Sequence, residues 1–132
     1  MGFNNKGVQY LVTKVEQAKV RCNLAISIGK NFDTPVEKAI DDYLFCLEKV
    51  YPVADFVTVN ISSPNTIGLR SLQSPKILLK FLTTLKKKQH LMSNKFGYKP
   101  LFIKISPDED KTTLQKISKI IIETKIDGLI AT

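Results

Sequence analysis

Tryptophan is absent from this 132-residue chain, histidine occurs once and cysteine twice. So few Cys and His exclude the ligand clusters of a zinc module and the paired staples of a small secreted domain, and no metal is expected. Cys22 and Cys46 stand far apart among apolar neighbours, which reads as two reduced, packed thiols in a reducing, intracellular setting. His90 lies in LKKKQHLMSN with no carboxylate or second histidine to orient it, so no chemical role is assigned to it. No apolar run reaches the ~18 residues of a membrane span, and MGFNNKG lacks the order of a signal peptide, so the chain is expected to be soluble. None of the 6 glycines falls into G-x-G-x-x-G or G-x-x-x-x-G-K spacing, which weighs against a Rossmann or P-loop nucleotide site. Arginine is scarce too, with 2 among 20 basic residues, although the formal net charge is +8. Readers of nucleic acid favour arginine and interleaved aromatics, so no nucleic-acid partner is expected. Lys86, Lys87 and Lys88 read instead as the solvated close of a helix, where cations meet the negative end of its dipole.

What is present is ordinary globular composition, 43% apolar and 24% charged, in one domain spanning residues 1–132. Val8, Leu11, Val12 and Val15 fall on one face of a helix that Asn4 or Asn5 can cap. Residues 22–28 form a short apolar run ended by Gly29, a buried strand. Thr34, Pro35 and Glu37 spell a Thr-x-x-Glu capping box with proline at the first helical position. The stripe that follows (Val36, Ile40, Tyr43, Leu44, Leu47, Val50) runs until Pro52 breaks it. Residues 56–59 read as a strand, and 61–73 as a loop of more than average length. Ser74 and Pro75 open a helix with Leu78, Phe81, Leu82 and Leu85 on its apolar face. A polar connection through Gly97 leads to the strand Leu101–Ile105. Asp108, Glu109 and Asp110 then precede a helix carrying Leu114, Ile117, Ile120 and Ile121, with Lys125 at its end. Residues 126–132 are a last strand.

Strands alternating with helices imply a parallel sheet with right-handed crossovers. The apolar runs finish in Ser27, Asn60, Lys104 and Thr132, so polar groups gather at the carboxyl end of the sheet, the edge where parallel α/β proteins bind ligands. This suggests an α/β fold of the (β/α)8 TIM-barrel kind, with an open doubly wound sheet as the alternative. A closed barrel needs eight units and typically ~250 residues, so four βα units make half of one.

The segment 59–73, VNISSPNTIGLRSLQ, resembles the active-site segment of class 2 dihydroorotate dehydrogenases, the quinone-linked flavin enzymes of pyrimidine synthesis. MGFNNKGV, IGKNFDTPVE, FIKISPD and IDGLIAT resemble the same family, in the same order along the whole chain. The resemblance implies oxidation of dihydroorotate to orotate, with hydride passing to FMN and electrons on to quinone. It implies that Ser63 is the catalytic base, where class 1 enzymes carry cysteine, with Thr66 and Phe3 shaping its surroundings. A free hydroxyl is a poor base, so it must be buried, oriented and coupled to acceptors. Met1, Gly2, Phe3, Asn60 and Asn65 match substrate-binding positions, and Ser27, Asn60, Lys104 and Thr132 match flavin-contacting ones. Asparagine supplies donors and an acceptor to an imide-like ring and a carboxylate. A lysine inside the apolar run LFIKI is costly to bury, which by its own logic favours function.

Two positions depart from the family. Ser27 stands where asparagine is usual, offering one hydroxyl for an amide. Ile67 replaces the proline of Asn-Thr-Pro-Gly and removes a restraint on the loop. The resemblance also implies a longer parent enzyme, peripheral to a bacterial inner or mitochondrial inner membrane. The competing readings are an inactive truncated remnant of that family and, from bulk charge alone, a basic nucleic-acid-binding module.

Overall fold

The structure is a computed structural model and describes residues 6–18, 20–63, 66 and 68–132. Helices α1 (Val8–Ala18), α2 (Ala39–Val50), α3 (Pro75–Phe96) and α4 (Lys111–Glu123) alternate with strands β1 (Ala25–Ile28), β2 (Phe56–Asn60), β3 (Leu101–Ile105) and β4 (Gly128–Ala131). The four strands are parallel and lie side by side in chain order, as successive right-handed crossovers require.

The register gives the sheet two unlike faces. Val57, Val59, Ile103 and Ile105 are fully buried against the helices, together with Tyr43, Leu47, Leu78, Leu82 and Leu85. The alternate residues, Ser27, Thr58, Asn60, Phe102, Lys104 and Gly128, turn to the opposite, concave side. There the Phe56 and Phe102 rings meet edge-on at 5.4 Å. A β-carbon on Gly128 would stand 2.5 Å from two carbons of the Phe102 ring, so this position has no room for a side chain while that ring stays where it is.

Several sequence expectations need correction. The first strand begins at Ala25, because the Leu24 amide donates to Asp55 Oδ2 at 2.7 Å. Cys22 therefore falls before the strand and is exposed, while Cys46 is half-buried, with burial pushing its thiol up. The capping box does not form: Pro35 precedes a short 3-10 turn, Val36–Lys38, that has no side-chain cap, and the α-helix starts only at Ala39. The Thr34 carbonyl instead accepts from the Lys30 ammonium, which also takes the carbonyls of Asn31 and Phe32. Lys86, Lys87 and Lys88 lie mid-helix, since nothing between them and Gly97 (φ 79°) breaks α3. Residues 69–73, read as loop, wind into a 3-10 helix, Leu69–Gln73. Leu11, expected on the buried stripe of α1, is 39% exposed. The last helix starts at the expected acids, with Asp110 accepting from the Thr112 and Thr113 amides at 2.8 and 3.0 Å, but it ends at Glu123, so Lys125 lies beyond it.

Candidate active site at the carboxyl rim

Asn60 ends β2 directly beside Lys104 of β3, its partner in register. Parallel neighbours point the same way, so both side chains emerge on the concave face of adjacent strands ~4.8 Å apart. Asn60 Oδ1 accepts from the Ser62 amide at 3.1 Å and from Ser62 Oγ at 2.8 Å. Two donors on one oxygen settle which end of the amide is which. Both Nδ2 hydrogens are left without an acceptor among the described residues.

The backbone of this strand end is held from three sides. Tyr43 donates its hydroxyl to the Asn60 carbonyl at 2.6 Å, and the Ile61 amide donates to the Lys104 carbonyl at 3.0 Å. Gln73 Nε2 donates to the Ile61 carbonyl at 3.1 Å, while Gln73 Oε1 is buried with no partner among the described residues. Burial pushes the Tyr43 phenol well above its usual range, so it remains a proton donor. Ser63, 5% exposed, follows on this fixed segment. Lys104 is half-buried, and no carboxylate among the described residues pairs with its ammonium.

The loops above the rim are tied to one another. Val36 packs 3.5 Å from where a β-carbon on Gly68 would lie, and Gly68 takes a left-handed φ of 71° that disfavours any other residue. Arg70 pairs with Asp108 at 3.5 Å, joining the loop after β2 to the loop after β3. Asp108 is also held by Ser106, 1% exposed, whose Oγ lies 3.3 Å from both its amide and its Oδ2.

The structure therefore sets Asn60 beside Lys104, with Ser63 buried three residues further along the chain from Asn60. Ser27 is exposed and pairs in register with Thr58, one side-chain repeat before Asn60, and Thr132 is exposed just past β4. Thr66 is half-buried, and its carbonyl accepts from the Leu69 amide at 3.1 Å. Met1, Gly2, Phe3, Asn65 and Ile67, like the caps Asn4 and Asn5, lie outside the described residues. Tyr43 and Gln73 escaped the sequence reading, because an apolar stripe does not reveal what a hydroxyl at its polar tip will bond. An open groove of about 650 Å³ lies elsewhere, between α3 and the end of α4, where Lys87, His90, Leu91 and Lys125 line it. None of the rim residues reaches it, so it is not the candidate site. Among the described residues no group of three His, Cys, Asp or Glu could hold a metal ion.

The family model described as "Dihydroorotate dehydrogenase" matches residues 1–132. An enzyme of Acinetobacter baylyi named "Dihydroorotate dehydrogenase (quinone)" is 56% identical over 133 residues, covering 100% of this chain and 40% of its own length. One of the same name from Psychrobacter cryohalolentis is 50% identical, covering 100% of this chain and 39% of its own. A crystal structure of DHODH from Eimeria tenella in complex with ferulenol superposes with a TM-score of 0.86 at 29% identity, over 97% of this chain and 40% of that one. The ligand-free type from the same organism gives 0.85 at 31% identity. The chain spans about 40% of the length of these curated relatives, and its parallel sheet is part of a (β/α)8 barrel. With a family match over its full length and the rim residues in place at the carboxyl end of β2 and β3, this chain belongs to the dihydroorotate dehydrogenase family.

Proposed function

We propose that this chain is the central segment of a quinone-linked dihydroorotate dehydrogenase, contributing the base and much of the substrate face to the oxidation of dihydroorotate to orotate. The observation that carries the reading is the similarity, over the whole of this chain, to enzymes named for that reaction, supported by Asn60 beside Lys104 at one rim and a buried Ser63 three residues further on.

An unpaired, half-buried cation beside an oriented amide suits the electron-rich pyrimidine edge of a flavin, so the residues present fit FMN. When bound, FMN supplies the hydride acceptor. Lys104 would hold its ring and offset the negative charge that grows as hydride leaves the substrate. Asn60 Nδ2 would donate to the substrate, with Oδ1 already committed to Ser62. Asn65, Met1, Gly2 and Phe3 are proposed to complete the substrate contacts, and Ser27 and Thr132 to touch the flavin. Ser63 Oγ would take the proton from the carbon next to the one losing hydride. Burial raises the worth of any hydrogen bond it makes, Thr66 is proposed to help pass that proton onward, and Phe3, whose side chain carries no donor or acceptor, is proposed to shape the surroundings. Quinone is the proposed final acceptor, in a parent enzyme attached to the membrane surface. Among the described residues, no helix of this segment is long and apolar enough to cross one.

The test transplants these 132 residues into the Acinetobacter baylyi enzyme in place of their counterpart. The chimera should reduce quinone with dihydroorotate, and Ser63→Ala should lower turnover by about 10² to 10⁴ with flavin still bound. Ser63→Cys should keep partial activity with a shifted pH profile, because a thiol ionises near pH ~8.5. Unchanged turnover in Ser63→Ala would remove Ser63 from the chemistry. A folded but inactive chimera restored by Ser27→Asn or Ile67→Pro would instead favour the remnant reading, to which those two departures point.

A further inference from the structure

We infer that Gln73 is a positioning residue for the base: by gripping the Ile61 carbonyl it fixes the strand end from which Ser63 is presented. The inference rests on the proposed oxidation of dihydroorotate, in which Ser63 Oγ takes the proton.

Each backbone polar group from the Asn60 carbonyl to the Ser62 amide has a partner. Tyr43 donates to the Asn60 carbonyl, the Ile61 amide to the Lys104 carbonyl, Gln73 Nε2 to the Ile61 carbonyl, and the Ser62 amide to Asn60 Oδ1. The last two bonds act on one peptide unit. Its carbonyl is held by Gln73 and its N–H by Asn60, each at 3.1 Å, so the plane between Ile61 and Ser62 is fixed at both ends. Ser63 is the next residue. The Asn60 grip is local, reaching two residues along the chain, and moves with the strand end. Gln73 reaches back over 12 residues and ties the same plane to a separate element.

That element is itself anchored. Gln73 closes the 3-10 helix Leu69–Gln73, whose Leu69 and Leu72 are buried, and α3 opens at Pro75. The Ser74 amide donates to the Ser71 carbonyl at 3.1 Å and the Leu78 amide to the Ser74 carbonyl at 2.9 Å, so backbone bonds run from one helix into the other. A grip mounted on helices places a group more precisely than one mounted on a free loop.

Gln73 is a poor residue for stability alone. It is 2% exposed, and while Nε2 has the Ile61 carbonyl, Oε1 is buried with no partner among the described residues. Gln73→Met keeps the length of the side chain and removes that orphan acceptor, but it orphans the Ile61 carbonyl in exchange. One unmade bond replaces another, so the fold should lose little, while the peptide plane ahead of Ser63 loses its distant anchor.

The test is made in the Acinetobacter baylyi chimera. Gln73→Met should keep its flavin and melt within about 3 °C of the parent, yet lower kcat roughly 10- to 100-fold with a smaller change in KM, as a misplaced base does. Gln73→Glu keeps the shape and, while protonated, an O–H to give. Its kcat relative to the parent should therefore fall as pH rises and the acid ionises. An inactive parent chimera would count against the functional reading, and the placement is then read without turnover. With Ser63→Cys in place, Gln73→Met should speed iodoacetamide labelling of the introduced thiol roughly tenfold, measured by peptide mass spectrometry, because position 63 is held 5% exposed. In an active chimera, an unchanged kcat in Gln73→Met, a large melting loss with normal turnover per bound flavin, or a Gln73→Glu that tracks the parent up to about pH 9 would each overturn the inference. In an inactive one, unchanged labelling would do so.

Discussion

Lys104 tests whether a residue serves chemistry or fold. It stands half-buried beside Asn60 with no carboxylate partner among the described residues, so no ion pair there ties its charge to the fold. Lys104→Met keeps the stem's volume and deletes the charge. In the chimera this variant should melt at the same or a higher temperature while losing FMN or its reducibility. A large drop in melting temperature with normal flavin chemistry would make Lys104 structural. Gly128 is the converse case, a residue defined by its neighbour. With Phe102 ring carbons 2.5 Å from any added β-carbon, Gly128→Ala should destabilise by about 1–3 kcal/mol in urea unfolding. Phe102→Leu in the same chain should recover most of that loss, and the absence of recovery would place the strain elsewhere.

At the scale of elements, the strands are joined at their amino ends by a device used twice. Asp55, leading into β2, donates its amide to the Leu24 carbonyl at 2.9 Å and accepts the Leu24 amide on Oδ2 at 2.7 Å. Asp127, leading into β4, does the same with Leu101 at 3.2 and 2.8 Å. Around Asp127 the device grows into a cluster: Tyr98 and Gln89 donate to the carboxylate and Lys86 pairs with it at 3.5 Å. Burial works to raise the Asp127 pKa, but the bonds from Tyr98, the Leu101 amide and Gln89, with the Lys86 charge, outweigh it and hold the carboxyl below its usual range. A folded-state value below the unfolded ~3.9 adds stability at every pH above that value, which is lost as pH falls through the folded one. Asp127→Asn should therefore cost about 1 kcal/mol at pH 7, several degrees of melting temperature, and the gap should close in acid. A gap that stays constant from pH 7 to about pH 2.5 would deny the carboxylate this role. Tyr98 is the mirror case: burial first, then the bond and charge of Asp127, push it up to about 12. Its contribution is present below the unfolded ~10 and lost as pH rises through that folded value.

For the whole molecule, four strands supply one rim but only part of the proposed flavin site. In (β/α)8 barrels a phosphate is commonly gripped by loops after the last two strands, which this half does not contain. The isolated chain should therefore purify colourless, without absorbance between about 350 and 500 nm, and should not oxidise dihydroorotate with any quinone. A yellow, active preparation would overturn the view that the flavin site draws on both halves.

Periodicity and turn residues were enough for the alternation of helix and strand, the β3 span and the core stripe of α3, because each is written in spacings of two or three to four along the chain. Of the four polar residues expected at strand ends, only Asn60 closes its strand, since β1 runs on to Ile28 and β3 to Ile105, and β4 stops before Thr132. The α4 start was legible for the same reason, since Asp110 acts on amides two and three residues away. The Thr34 capping box was not, because Lys30 and the Asn31–Thr34 turn draw that stretch into other bonds. Strand register was also beyond periodicity: Ser27, Asn60 and Lys104 look alike as strand ends, yet only Asn60 and Lys104 pair. Tyr43, Gln73 and Asp127 show the same limit. Their partners lie 12 to 38 residues away, and a side chain's polar tip finds them only after the helices have packed on the sheet.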